Sequence, residues 1–253
     1  MDETVQANSI CAGDDEAIRI VERMLDAFCE LFPDSDTIHI GGDEVNPQWW
    51  RNCPKCQARR EELRANRGGS LQSWLMRHFA RYLADKGRRA IGWDEVAEGR
   101  IPENMSIMFW RGMYRKDQVA VSNHTEVVSC PSSHCYFDKD QLIPDDPFPS
   151  WASCRLSHAY SYDPCRDIAP ECRRYVIGTE GLLWGEGIKS AKELIWKAYP
   201  RLCATAEIAW SYPPTPRDYN GFLRRLSTHI PRLRAWGIGS AHTQEMILED
   251  KLK

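Results

Sequence analysis

The stretch Thr37-Ile38-His39-Ile40-Gly41-Gly42-Asp43-Glu44-Val45-Asn46 does most to limit what this chain can fold into. Thr37 to Ile40 is rich in β-branched residues and follows a break at Pro33-Asp34, so it reads as a short strand. Two glycines then allow a sharp turn and a close approach to other groups. Two carboxylates, Asp43 and Glu44, come next. Adjacent acids repel if both are buried and ionised, so the pair calls for split protonation states or an external partner for one of them. A strand ending in Gly-Gly-Asp-Glu suits the C-terminal mouth of a barrel strand, where (β/α)-barrels keep their chemistry. It also suits an acidic turn after an edge strand.

The rest of the chain sets that strand among others. Residues 1–13 read as a loop. From Asp14 to Phe32, Ile18, Val21, Leu25, Phe28 and Phe32 recur at helical spacing, with acids in the first turn and Pro33 beyond the end. Asn46 to Gly69 is polar and reads as irregular. A second helix is expected over Ser70 to Lys86, with Leu71, Trp74, Leu75, Phe79 and Leu83 on one face and Gly87 closing it. Strands are expected at Arg89–Trp93, Ser106–Phe109, Glu126–Ser129 and Tyr175–Thr179. They lead into Asp94-Glu95, Trp110-Arg111-Gly112, Tyr136-Phe137-Asp138 and Gly181-Leu182-Leu183-Trp184-Gly185-Glu186 respectively. Residues 138–174 read as one long connection rich in Pro, Asp and Ser. Ala191 to Trp210 reads as a helix kinked at Pro200. The last helix is expected to start at Thr215-Pro216, bury Leu223, Leu226, Ile230 and Leu233, and stop at Gly237.

Five strands alternating with helices or long connections predict an α/β fold with a parallel sheet. Aromatic and acidic residues at the same end of every strand favour a (β/α)₈ TIM barrel over an open sheet. Five strands are three short of eight, so the barrel is expected to be incomplete. The 253 residues include 33 basic and 36 acidic ones, a net charge of −3 that offers no basic field to nucleic acid or an anionic membrane. No apolar run reaches the roughly 18 residues of a membrane span, and Met1-Asp2-Glu3-Thr4-Val5-Gln6 does not resemble a signal peptide. Ten tryptophans are many for this length; such rings stack on the apolar face of a sugar, or fill a core. Ten scattered cysteines fix neither a disulfide pattern nor a compartment.

His39-Ile40-Gly41-Gly42-Asp43-Glu44, Gly92-Trp93-Asp94-Glu95, Trp110-Arg111-Gly112, Tyr136-Phe137-Asp138, Leu183-Trp184-Gly185-Glu186 and Ala206-Glu207-Ile208-Ala209-Trp210-Ser211 follow one another in that order. Together they resemble the β-N-acetylhexosaminidases of glycoside hydrolase family 20, from about Ile10 to Ile238. The resemblance implies hydrolysis of a terminal β-linked N-acetylhexosamine in which the substrate's own acetamido oxygen is the nucleophile, an exception to the usual carboxylate pair. It assigns Glu44 as general acid and base, and Asp43 as the carboxylate that holds the acetamido N–H and stabilises the oxazolinium charge. Trp93, Trp110 and Trp184 match the aromatic walls of the sugar pocket. Tyr136 matches the phenol that aims the acetamido oxygen, and Asp138 and Glu186 match acceptors for sugar hydroxyls. Asp94-Glu95 is left as a supporting or structural pair.

The resemblance also sets limits. Family members carry three further strands, with a sugar-binding arginine and a histidine that supports the acid, and this chain reads as the portion holding about strands 4 to 8. The whole of residues 1–253 is therefore expected to be one partial catalytic barrel with a core of about 14–238, and its open sheet edges are expected to self-associate. Cys53-Pro54-Lys55-Cys56 is half of a zinc site or a redox pair by spacing, yet no second C-x-x-C or His pair accompanies it at zinc-ribbon spacing. It also does not open a helix in a thioredoxin-like unit, so free thiols or a loop staple are expected, with no metal and no cofactor. Two functional readings stand at this point. One is a glycosidase acting on amino-sugar glycans or chitooligosaccharides; the other is a non-catalytic remnant that binds amino sugars weakly. The compartment is left open, since relatives are commonly secreted, periplasmic or lysosomal.

Overall fold

In a computed structural model, which describes residues 9–65, 69–99, 101–112, 120–143, 146–166, 168–212 and 217–239, the chain divides into two units. One comprises Met1–Phe109 with Lys116–Val127, the other Trp110–Arg115 with Val128–Lys253.

In the first unit, helix α1 (Asp15–Leu31) starts where the Asp14 carboxylate accepts the Glu16 N–H, with Asp15 and Glu16 in the first turn. It buries Ile18 and Leu25. Phe28 and Phe32, which continue the same helical spacing, stack on each other at the surface. Ile20, Met24 and Leu31 are exposed too, so the apolar stripe of α1 is wider than the surface it covers. Strand β1 (Thr37–His39) follows.

The segment expected to be irregular holds two helices, α2 (Gln48–Asn52) and α3 (Pro54–Ala65). Helix α3 buries only Cys56 and Leu63, and ion pairs from Arg59 to Asp15 and from Arg64 to Glu61 support its polar face. The Cys53-x-x-Cys56 pair therefore does open a helix. Helix α4 (Leu71–Ala84) has the Ser70 hydroxyl as its N-cap acceptor and buries Leu71, Leu75, Met76, Phe79 and Leu83. It closes with Gly87 at φ +72°, Gly87 N–H on the Ala84 carbonyl and Arg88 N–H on that of Leu83.

Strands β2 (Arg89–Trp93) and β3 (Met105–Phe109) run parallel, β1 beside β2 and β2 beside β3, with Ile38 opposite Ala90 and Ile91 opposite Ser106. Both are buried almost throughout, as expected of parallel strands covered on two faces. The Ile107 N–H donates to the Glu126 carbonyl at 2.9 Å, at the entry to β4 (Val127–Ser129).

The second unit continues from β4 into a short helix α5 (Ser132–Cys135). Within residues 138–174, read as one connection, lie α6 (Leu156–Tyr160) and a 3₁₀ helix at Pro170–Tyr175. Strand β5 (Val176–Gly178) leads to a parallel bridge between Tyr136 and Leu182. The helix expected over Ala191–Trp210 is two helices, α7 (Ala191–Ala198) and α8 (Arg201–Ser211). Tyr199, the residue before Pro200, is extended (φ −104°, ψ 140°), so the chain breaks there and does not merely kink.

Helix α9 (Tyr219–Ala235) takes Asp218 as its N-cap, the carboxylate accepting the Gly221 N–H at 2.8 Å; Thr215-Pro216 lies outside the described residues. Leu223, Leu226, Ile230 and Leu233 are buried as expected, and the first three pack with Leu156, Tyr160, Ala204 and Phe222 into one core.

Candidate active site

Strand β1 leads to the acids through a glycine turn. The Ile40 N–H donates to the Ile91 carbonyl at 2.8 Å, and the Trp93 N–H donates back to that of Gly41 at 3.0 Å. Gly41 and Gly42 lie at φ +73° and +103°, and a Cβ on Gly42 would sit 2.6 Å from Val96 Cγ2. The turn thus needs glycine for its conformation and its space. Glu44 also has a positive φ, +48°, a conformation that costs a side-chain-bearing residue roughly 1–2 kcal/mol and gathers at functional sites.

Asp43 is half-buried and Glu44 exposed. The Glu44 N–H points at Glu95 Oε1 at 3.4 Å, so Glu95 touches the backbone that carries the first acid pair, while Asp94 is fully buried. His39, which the sequence reading left out of the site, meets the buried Trp93 ring edge-on with centroids 4.9 Å apart. Its Nδ1 accepts the Gly41 N–H at 3.1 Å, which requires that nitrogen to be unprotonated. Burial lowers the His39 pKa, and the Asp43 charge pulls it back up.

The second unit brings together the other expected residues. The Trp110 and Tyr136 rings stack with centroids 6.2 Å apart, and Tyr136 tilts against Trp184 at 5.9 Å. Tyr136 is buried, and Trp184 is about a third exposed. Asp138, Trp184 and Glu186 line one cavity of about 320 Å³, together with Trp151, Glu193 and Lys197. Asp138 Oδ1 is buried with no hydrogen-bond partner among the described residues. A buried carboxylate oxygen left so is an acceptor awaiting a donor.

Lys139 places its ammonium over both the Tyr136 and Trp151 rings. Trp151 escaped the sequence reading because it lies inside the stretch taken for a connection. The larger hollow of this unit, about 730 Å³, is lined by Leu202, Cys203, Phe222, Leu226 and Leu233 and by none of the expected site residues.

Residues 1–213 match the model of the glycosyl hydrolase family 20 catalytic domain. The chain belongs to glycosyl hydrolase family 20.

Among relatives, a β-hexosaminidase of Porphyromonas gingivalis is 33% identical over 236 residues, covering 92% of this chain and 30% of its own length. One of Vibrio furnissii is 32% identical over 197 residues, covering 74% and 31%. Among solved family 20 structures, the exo-β-N-acetylglucosaminidase of Vibrio harveyi with bound N-acetylglucosamine superposes with a TM-score of 0.82 at 28% identity, over 93% of this chain and 37% of that one. The β-N-acetylhexosaminidase of Bacteroides fragilis gives 0.78 at 26%, over 94% and 49%. The chain thus spans about a third of the length of the curated relatives it matches, and its α/β fold is that of part of a (β/α)₈ barrel.

No described helix of this family 20 chain is long and apolar enough to cross a membrane. Among the described residues one group of three side chains lies close enough together that it could hold a metal ion: Cys11, Cys53 and Cys56. The C-x-x-C half of the group is legible in the sequence, whereas nothing local marks Cys11, 42 residues before Cys53, as its neighbour.

Proposed function

We propose that this chain is the part of a β-N-acetylhexosaminidase that carries its acid residues, one partial catalytic barrel with a core of about 14–238. The reaction is removal of a terminal non-reducing β-linked GlcNAc or GalNAc from amino-sugar glycans or chitooligosaccharides, with retention of configuration. The observation that supports this most is the pair Asp43 and Glu44 directly after β1, with Glu44 held at φ +48°, in a chain of this family.

In the first step the acetamido oxygen bonds to the anomeric carbon as the glycosidic C–O bond breaks, and Glu44 gives its proton to the departing oxygen. Asp43 accepts from the acetamido N–H and stabilises the positive charge of the oxazolinium ring. Water, losing its proton to Glu44, then opens that ring. Trp93, Trp110 and Trp184 would wall the sugar and the acetamido methyl, Tyr136 would donate to the acetamido oxygen, and Asp138 and Glu186 would accept from hydroxyls. The unpartnered Asp138 Oδ1 suits that role.

The test compares the purified chain on an aryl N-acetyl-β-glucosaminide and on the matched plain β-glucoside, with a thiazoline mimic of the ring as inhibitor. Cleavage of the first alone, blocked by the thiazoline, is expected. Efficient cleavage of the plain glucoside would point to an enzyme nucleophile and sink the mechanism. Binding of N-acetylglucosamine without any turnover would favour the non-catalytic reading.

A further inference from the structure

Cys11, just ahead of α1, lies with its sulfur 3.5 Å from those of both Cys53 and Cys56. All three sulfurs fall within 4.8 Å of one another. A disulfide needs about 2.05 Å. Three thiolates on one zinc ion, each at about 2.3 Å in tetrahedral array, stand about 3.8 Å apart. Two of the three separations, at 3.5 Å, fall just short of that value and the third is at most 4.8 Å, so little movement is needed for one ion to touch all three sulfurs.

The surroundings turn backbone donors toward two of the sulfurs. The N–H groups of Cys56 and Lys55 donate to Cys53 Sγ, and that of Gly13 donates to Cys56 Sγ. Cys56 is fully buried in the first turn of α3, and that burial pushes its thiol pKa up to about 12, so a bound cation would have to displace the Cys56 proton. Lys55, paired with Asp14, brings a cation to the same place. A Cβ on Gly13 would lie 2.1 Å from the Lys55 carbonyl carbon and oxygen. Glycine at 13 is therefore what lets the Cys11 turn close on the C-x-x-C turn. Trp50 fastens the same turn by donating its indole N–H to the Ile10 carbonyl at 2.8 Å.

We propose that Cys11, Cys53 and Cys56 form a structural site for a thiophilic divalent cation, zinc above all, with its fourth position filled by an exogenous ligand such as water. Among the described residues the group stops at three side chains. Binding would displace up to three thiol protons. It would also close a loop of 42 residues that contains α1, β1 and the Gly41–Glu44 turn, anchoring the segment that follows the acids. The site stands independently of the proposed glycosidase activity, because its readout is metal content.

The experiment purifies the full chain under reducing conditions without chelator and measures zinc by elemental analysis. One zinc per chain is expected, falling to background in Cys11→Ser, Cys53→Ser and Cys56→Ser but not in Cys29→Ser. Should the serine variants fail to fold, the wild-type chain is stripped and titrated with Co²⁺, whose sulfur-to-metal charge-transfer band should appear at one equivalent with the intensity of three thiolates and vanish on adding Zn²⁺. Absence of that band in a folded, fully reduced chain overturns the proposal. So does mass-spectrometric detection of a disulfide between two of the three in the chain as isolated after thiol trapping.

Discussion

Lys197 donates its ammonium to the backbone carbonyl of Asp138 at 2.8 Å, and both residues are buried. Arg201, the first residue of α8, grips the carbonyls on either side, those of Phe137 at 2.6 Å and Lys139 at 3.0 Å, along with that of Cys154 at 2.9 Å. Two buried cations thus position the backbone around Asp138 while its own Oδ1 has no hydrogen-bond partner among the described residues. Buried cations normally sit on carboxylates; here they sit on main-chain oxygens.

That division separates two variants. Lys197→Met removes the donor for the Asp138 carbonyl and for that of Phe148, and an unsatisfied buried acceptor costs about 1–3 kcal/mol. Its urea midpoint should drop. Asp138→Asn removes no hydrogen bond that its Oδ1 makes in the fold, so its midpoint should hold or rise while affinity for N-acetylglucosamine falls. Equal destabilisation by both would mean that the Asp138 carboxylate serves the fold.

On the proposed mechanism, Glu44→Gln should cut turnover roughly 10²–10⁴-fold, the usual worth of a positioned general acid. The loss should shrink for aryl leaving groups of low pKa, which need less protonation; an even loss across leaving groups in single-turnover assays argues against the acid role. Asp43→Asn should cost about 10²–10³-fold whatever the leaving group, because it removes the charge facing the oxazolinium. Glu44→Gly offers a check on the backbone itself: relieving φ +48° should raise stability by up to about 1 kcal/mol after the glycine's added chain entropy, with activity lost.

How far the sequence foretold this depends on where the ordering forces lie. Asp14 and Ser70 act through bonds to residues two and three positions on, so α1 and α4 were legible almost to the residue. Helix α3 was not, because it buries only Cys56 and Leu63 and shows no apolar period. Pro54 at its start and the Arg64–Glu61 spacing were the readable signs. The acids and aromatics of the candidate site were named from motif order. Arg201, Lys197 and Cys11 were not, since each acts on partners 42 to 64 residues away and nothing local marks such a pairing.

Three imidazoles set an expected pH dependence. Burial lowers the pKa of His39, of His158, and of His134 down to about 4. His134 and His158 stack 3.9 Å apart, with Arg166 and Lys139 adding further positive charge around His134. An unfolded histidine titrates near 6.5, so below that pH the unfolded chain binds protons the folded one refuses. The stability held by neutral His134 is complete above about 6.5 and is lost progressively as pH falls to about 4. Urea midpoints across that range should decline with acid, and His134→Gln should flatten the decline. An unchanged slope in that variant would remove His134 as its source.

The last expectation concerns association, and it rests on surfaces that each unit leaves uncovered. In the first unit Ile20, Met24, Phe28, Leu31 and Phe32 lie exposed along and just past α1, and among the described residues of that unit β1 pairs only with β2. In the second, the apolar hollow beside α8 and α9 is open, with Trp236 on its rim 73% exposed; Trp210 nearby on α8 is 94% exposed. Patches of this kind are rare on monomers and mark surfaces meant to be covered, and an unpaired strand edge invites another strand. The isolated chain should therefore self-associate, its average mass in sedimentation velocity rising with concentration. Met24→Glu with Phe28→Glu, both already in water, should shift it toward monomer with its helical content intact. A chain that stays monomeric at every concentration, or a double variant that associates as before, would show that these faces are indifferent to one another.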